Sequence, residues 1–208
     1  MTPDLFGTPQ PPELTCLPGF ANPYAAALVA TALAVAARAP WRIMHTPGGR
    51  RMAAAMTNCG SLGWVSDERG YRYSAQDPQS GAPWPPLPPL FLDLAARAAA
   101  AAGFASFVPD ACLINRYAPG AGMGLHQDRD EADLSAPIVS VSLGLPAVFL
   151  WGGARRTDKP LKFPLTSGDV VVWGGATRLN FHGVAPLREG DHPLTGRARL
   201  NLTLRRAS

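Results

Sequence analysis

Apolar and polar positions follow a period of two in the C-terminal half of the chain and a helical period in two places before it. Arg197-Ala-Arg199-Leu-Asn201-Leu-Thr203-Leu-Arg205 alternates strictly. Arg197, Arg199, Asn201, Thr203 and Arg205 fall on one face, Ala198, Leu200, Leu202 and Leu204 on the other. Pro137–Leu143 alternates Val and Ser, so one face of that strand is polar. Further strands are predicted at Ala111–Tyr117, Val148–Trp151, Asp169–Trp173 and Phe181–Val184, with Gly or Pro between them. Upstream, Asn22-Pro23 suits a helix start, Asn as cap and Pro in the first turn. That helix should run through Ala37, stop before Pro40 and turn Leu28, Leu33 and Val35 inward. A second helix is predicted from Pro88 to Ala102, closed by Gly103, with Leu90, Leu94 and Ala98 as its buried stripe.

Three segments follow from this pattern. Residues 1–40 hold an extended arm, a strand near Leu14–Leu17 and the first helix. Residues 41–86 read as short strands and loops, with turn signals at Pro47-Gly48-Gly49 and Gly60. Residues 87–208 carry the second helix and the strands. Short strands at regular spacing indicate a sandwich or barrel, and no internal repeat is present.

Composition narrows the class. With 208 residues, 47% of them apolar, the chain suits one domain with a real core. The 21 Gly and 22 Pro show no Gly-X-Y period, so they mark turns and exclude collagen. Cys16, Cys59 and Cys112 form no CxxC pair, no leader pattern precedes them, and Ala25–Ala37 is too short to span a bilayer. A soluble cytoplasmic protein is expected. The net charge is +4, and the cations are Arg apart from Lys159 and Lys162. An Arg-rich surface suits a polyanionic partner; genomic base composition explains the same bias.

The chemistry concentrates in Asn115–Glu131, which contains His126-x-Asp128. On a strand, residues two apart share a face, so an imidazole and a carboxylate can share one ion. His182, in Phe181-His-Gly183, is the candidate third ligand; His45 and His192 lack such a partner. Two His and one carboxylate form the facial triad of non-haem Fe(II) oxygenases. An HxD alone is weak evidence. The polar face of residues 197–205 has two readings: an edge strand with Arg in water, or an inward face where Arg needs anions. A small dicarboxylate would pair with two such Arg.

Several segments together resemble the AlkB alkylation-repair dioxygenases. They are Asn115–Glu131, Gly168-Asp-Val-Val-Val-Trp-Gly-Gly175, Phe181-His-Gly183 and Arg199-x-Asn-x-Thr-x-Arg205, with Pro137–Gly144 and Asn58-Cys-Gly-x-Leu-Gly-Trp64 in support. The resemblance spans about Trp41 to Arg205 and is closest to the bacterial members. It implies a mainly β fold with flanking α-helices: a double-stranded β-helix, or jelly roll, with residues 41–86 as a nucleotide-recognition lid. It implies Fe(II) as cofactor, held by His126, Asp128 and His182, with 2-oxoglutarate and dioxygen as co-substrates. Asn115, Tyr117, Arg199, Asn201 and Arg205 match the 2-oxoglutarate contacts. Arg199 would take the distal carboxylate and Arg205 the one beside the iron.

The implied reaction is oxidative demethylation of 1-methyladenine and 3-methylcytosine in DNA, single- or double-stranded, and in RNA. Succinate, carbon dioxide and formaldehyde are released, and the base must leave its stack to react. Trp64 matches the stacking residue, with the His126 ring on the other side of the base. Asp130 would attract the cationic base; a solvated turn carboxylate is its other reading. Met56 and Ser140 would line the pocket. Thr57, Tyr71 and Arg156, with Arg50, Arg51 and Arg72, would meet phosphates. A monomer without membrane contact is expected. The alternative is an Fe(II)/2-oxoglutarate hydroxylase of a protein or small molecule, which needs neither Trp64 nor Asp130.

Overall fold

A computed structural model describes residues 14–208; the expected arm before Leu14 lies outside the described residues. The larger sheet runs in the order β1 (Leu14–Leu17), β10 (Val170–Trp173), β7 (Ile138–Gly144), β12 (Arg199–Arg205), β5 (Ala111–Tyr117) and β2 (Ala55–Gly60). All its pairings are antiparallel. The smaller sheet is β6 (Met123–His126), β11 (His182–Val184), β8 (Ala147–Trp151) and β9 (Leu161–Leu165). β3 (Gly63–Asp67) and β4 (Gly70–Ser74) pair as a separate hairpin. This is the expected mainly β jelly roll with helices outside it.

Alternation explains how the larger sheet is covered. Leu200, Leu202 and Leu204 of β12 pack with Cys112 and Ile114 of β5 and Val139, Val141 and Leu143 of β7 under the two helices. The helices are α1 (Ala25–Arg38), which buries Leu28, Val29, Ala32, Val35 and Ala36, and α2 (Pro89–Ala101), which buries Phe91, Leu94, Ala95, Ala98 and Ala99. Two expected stripe residues differ. Leu33 is half exposed and Leu90 only partly buried. In helices this rich in Ala, the buried stripe follows the i, i+4, i+7 spacing of Leu28, Ala32 and Val35, and Leu33 lies well off it. Asn22 makes no side-chain cap; Asn22–Tyr24 forms a 3-10 turn that leads into α1.

The opposite face of the larger sheet looks at the smaller one. Leu14, Ile138, Val171 and Trp173 meet Phe149, Trp151, Phe163 and Leu165 there. Beside this apolar plug, β7 and β12 present Ser140, Ser142, Arg199, Asn201, Thr203 and Arg205, and every residue of the two strands is buried. The inward reading of the Arg-bearing face is therefore the correct one, save for Arg197. That residue precedes the strand and pairs with Glu189 in solvent.

Two strands had no clear pattern in the sequence. β9 carries Pro164 and lies at the edge of its sheet, where a missing donor is tolerated. β6 is short and Gly-rich. Of residues 41–86, β2 joins the larger sheet, so a sheet boundary does not fall at the expected lid boundary; the β3–β4 hairpin stands apart. No helix among the described residues is long and apolar enough to cross a membrane.

Candidate active site

His126 ends β6 and His182 begins β11, and the two are direct cross-strand partners. Gly183 permits this close pairing: a Cβ there would lie 2.6 Å from the Met123 carbonyl oxygen. Asp128 is not on the strand, as the HxD spacing implied, but two residues beyond it. It still converges on the imidazoles. Its Oδ1 lies 3.6 Å from His126 Nε2 and its Oδ2 3.7 Å from His182 Nε2. One ligand atom from each of the three lies within 4.8 Å of the others. Both Nδ1 atoms face backbone carbonyls, His126 on Gly124 at 2.9 Å and His182 on Asn180 at 3.1 Å. That contact places the proton on Nδ1 and leaves Nε2 free for a metal. The donor set fits Fe(II).

The charges around the triad are ordered by Arg205. Its Nε and Nη2 donate to Asp128 Oδ2 at 3.0 and 2.6 Å, and Nε lies 3.3 Å from Glu131 Oε1. Burial alone would raise the Asp128 pKa, but Arg205 and His182 hold it well below the usual carboxylate range. Partial burial, with His182 beside it, lowers the His126 pKa to about 4. Both groups are thus poised as deprotonated ligands.

The residues expected to meet the dicarboxylate lie on β5, β7 and β12. Register sets Tyr117 opposite Arg199 and Asn115 opposite Asn201. Arg199 is 1% exposed; its Nη2 donates to Ser142 Oγ at 2.8 Å, while Nε and Nη1 have no hydrogen-bond acceptor among the described residues and the guanidinium lies over the Tyr117 ring. Asn115 Oδ1 is likewise buried without a partner among the described residues. Burial pushes the Arg199 pKa down, which is the mark of a cation lacking its anion. A carboxylate of 2-oxoglutarate fits this orphaned fork. Asn201 is already engaged, its amide nitrogen with Ser140 Oγ and Val141 O and its amide oxygen with Thr203 Oγ1.

The hairpin brings Trp64 over the site. Its Nε1 donates to Asp130 Oδ2 at 2.8 Å, and its ring stacks on Tyr71 with centroids 5.7 Å apart. Met56 is buried with Tyr117 in the cluster against which Trp64 and Met123 pack. Thr57 is misplaced by the sequence reading. It is fully buried and donates to Ala39 O at 2.6 Å, so its hydroxyl cannot meet a phosphate. Arg72 is also spent, forked onto both oxygens of Asp67 at 2.7 Å. Arg50, Arg51 and Arg156 are exposed, Arg156 over the Phe181 ring.

Three residues of this network were not singled out from sequence. Ser142 was visible only as part of the polar side of the Val-Ser alternation. Tyr73 donates to Glu131 Oε1 at 2.7 Å, and Arg178 reaches Glu131 Oε2 at 3.1 Å. Nothing in their local sequence marks Tyr73 for this contact or Arg178 for burial.

Known proteins place this arrangement. The model of the 2OG-Fe(II) oxygenase superfamily matches residues 13–205. The alpha-ketoglutarate-dependent dioxygenase AlkB of Salmonella typhimurium strain LT2 is 54% identical over 174 residues, 84% of this chain and 81% of that protein. The mouse nucleic acid dioxygenase ALKBH1 is 36% identical over 112 residues, 53% of this chain and 28% of that protein. The solved structure of OsALKBH1 superposes with a TM-score of 0.84 at 30% identity, over 96% of this chain and 99% of that one. With these matches and the triad in hand, the chain belongs to the 2OG-Fe(II) oxygenase superfamily and, within it, to the AlkB dioxygenases.

Proposed function

We propose that this dioxygenase removes methyl groups from N-alkylated nucleobases, 1-methyladenine and 3-methylcytosine, in DNA and RNA. The observation that carries the nucleobase reading is the 2.8 Å bond from Trp64 Nε1 to Asp130 Oδ2. It sets a flat aromatic ring and a carboxylate side by side, two residues past Asp128. A flipped, cationic base needs both, a π surface to stack on and an acceptor for its charge. The mouse relative's name as a nucleic acid dioxygenase points the same way.

In this reading His126, Asp128 and His182 hold Fe(II) through two Nε2 atoms and a carboxylate. Arg199 takes the distal carboxylate of 2-oxoglutarate on its unpartnered Nε and Nη1, with Asn115, Tyr117 and Asn201 beside it. Arg205 keeps Asp128 ionised and oriented and faces the other carboxylate. When bound, the iron couples decarboxylation of 2-oxoglutarate by dioxygen to hydroxylation of the N-methyl carbon, which leaves as formaldehyde. The apolar plug around Trp151 and Trp173 keeps water from the far side of His182. Residues 41–86 act as the lid: the hairpin rests on Asp130 and Glu131, and Tyr71, Arg50, Arg51 and Arg156 face the backbone of the substrate strand. We place the reaction in a monomer, working in the cytoplasm on single- or double-stranded substrate.

The test is a demethylation assay on a short single strand carrying 3-methylcytosine, with Fe(II), ascorbate and 2-oxoglutarate, read by mass spectrometry. Methyl loss that needs 2-oxoglutarate and vanishes in Asp128→Ala is expected. Succinate without methyl loss would move the substrate elsewhere.

A further inference from the structure

We propose that Arg178 is a positioning residue for the metal site, holding Asp128 by its backbone, a role that rests on the triad assignment above. Arg178 follows the 3-10 turn Gly175–Thr177 and lies four residues before His182. Its side chain is buried and crosses to the loop that follows His126. Nη1 donates to Asp128 O at 2.6 Å, Nε to Ala136 O at 3.0 Å and Nη2 to Glu131 Oε2 at 3.1 Å. A reciprocal bond runs back, from Gln127 Nε2 to Leu179 O at 2.6 Å. The segment bearing Asp128 and the segment bearing His182 are therefore stitched together from both sides.

The chemistry of these bonds argues for geometry over charge. Two of the three Arg178 acceptors are neutral carbonyls, spread over residues 128–136. Only a planar guanidinium reaches both while also meeting Glu131; an ammonium offers a single point. Asp128 is thus fixed at two ends, its carboxylate by Arg205 and its carbonyl by Arg178. Glu131 lies between the two guanidiniums and also accepts from Tyr73. The four buried charges of Asp128, Glu131, Arg178 and Arg205 balance, so the cluster can stay dry. Residues that orient metal ligands in this way typically set metal affinity by 10–100-fold.

The experiment titrates metal-free protein with Mn(II), following the free ion by electron paramagnetic resonance, at a temperature where each variant is folded by circular dichroism. Arg178→Lys keeps the charge opposite Glu131 and loses the fork. It should weaken Mn(II) binding by about 10–100-fold. Wild-type affinity in a folded Arg178→Lys protein, whatever its melting temperature, overturns the proposal and leaves Arg178 a packing residue. Gln127→Met removes the reciprocal bond from the exposed side, where folding is not at risk, and should weaken Mn(II) several-fold. If Arg178→Lys does not fold, unchanged affinity in Gln127→Met overturns the proposal. Asp128→Ala separates the two levels: wild-type affinity there would defeat the triad itself, and the role of Arg178 with it.

Discussion

Arg199 lies directly across the β5–β12 register from Tyr117, its guanidinium carbon 5.3 Å from the phenol ring centroid. The ring is a soft partner, and no carboxylate among the described residues pairs with this cation. The site therefore carries a buried charge that the fold alone does not satisfy, which is a destabilising feature kept for a ligand.

That relationship predicts a trade between stability and binding. Arg199→Met removes the orphaned charge and keeps the volume, so the ligand-free variant should be more stable than wild type, on the order of 1 kcal/mol. At a 2-oxoglutarate concentration of about 100 Kd, with Mn(II) present, wild type should gain about 2.7 kcal/mol. The variant should gain almost none at that same concentration. Urea unfolding with and without 2-oxoglutarate measures both quantities. An undiminished ligand-induced gain in the variant would remove Arg199 from the dicarboxylate site.

Asp130 accepts from the Trp64 indole, and one pair of variants separates that bond from the proposed attraction of a cationic base. Asp130→Asn keeps an oxygen for the Trp64 indole and removes the charge; Trp64→Phe keeps an aromatic surface and releases Asp130. The first should lower kcat/KM about tenfold or more on cationic 3-methylcytosine and only slightly on a neutral etheno adduct. The second should lower both alike. Equal losses on the two substrates in Asp130→Asn would show that the carboxylate acts only through Trp64.

Much of this site was legible because alternation and motif agree. The alternation of residues 197–205 separated a Leu face from an Arg-bearing face but left open whether the Arg met water or the interior, and the fold turns it inward. What stayed hidden is burial in irregular segments. Thr57 looks like any strand threonine until β2 places it under Ala39 O. Arg178 sits beside a Gly-rich turn, where an arginine is normally solvated, and only the tertiary path shows it buried. Leu33 failed for the reverse reason: in α1, Ala32 and Ala36 supply burial that a scan for large residues passes over.

Loss of the triad should have unequal structural cost. His126→Ala and Asp128→Ala should both abolish turnover. The His126 side chain is one-third exposed, so its removal should change stability by less than about 1 kcal/mol. Asp128 is the buried partner of Arg205, which among the described residues keeps only the Glu131 carboxylate when Asp128 is truncated. Asp128→Ala should cost about 3 kcal/mol. Urea unfolding of the metal-free proteins compares them. Equal stability of the two variants would mean that the Arg205 pair contributes little to the fold.

The segment that leads to the β3–β4 hairpin is anchored by Arg42, whose guanidinium forks onto both Asp77 oxygens and lies over the Trp84 ring at 5.2 Å. The hydrogen-bonded Arg42 guanidinium is the main cause that holds the Asp77 carboxyl below its ordinary value. For a carboxylate with a depressed folded value, the stabilisation is fully present above the unfolded pKa of about 3.9. It is lost as pH falls through the lower, folded value. Arg42→Met removes the pair and keeps an apolar side chain near Trp84. The stability gap between wild type and Arg42→Met should be constant from pH 7 to about 5 and shrink on acidification below about pH 4. Urea unfolding of both proteins at several pH values measures it. A gap that stays constant down to pH 3 would assign the role of Arg42 to its packing on Trp84 and not to its bond with Asp77.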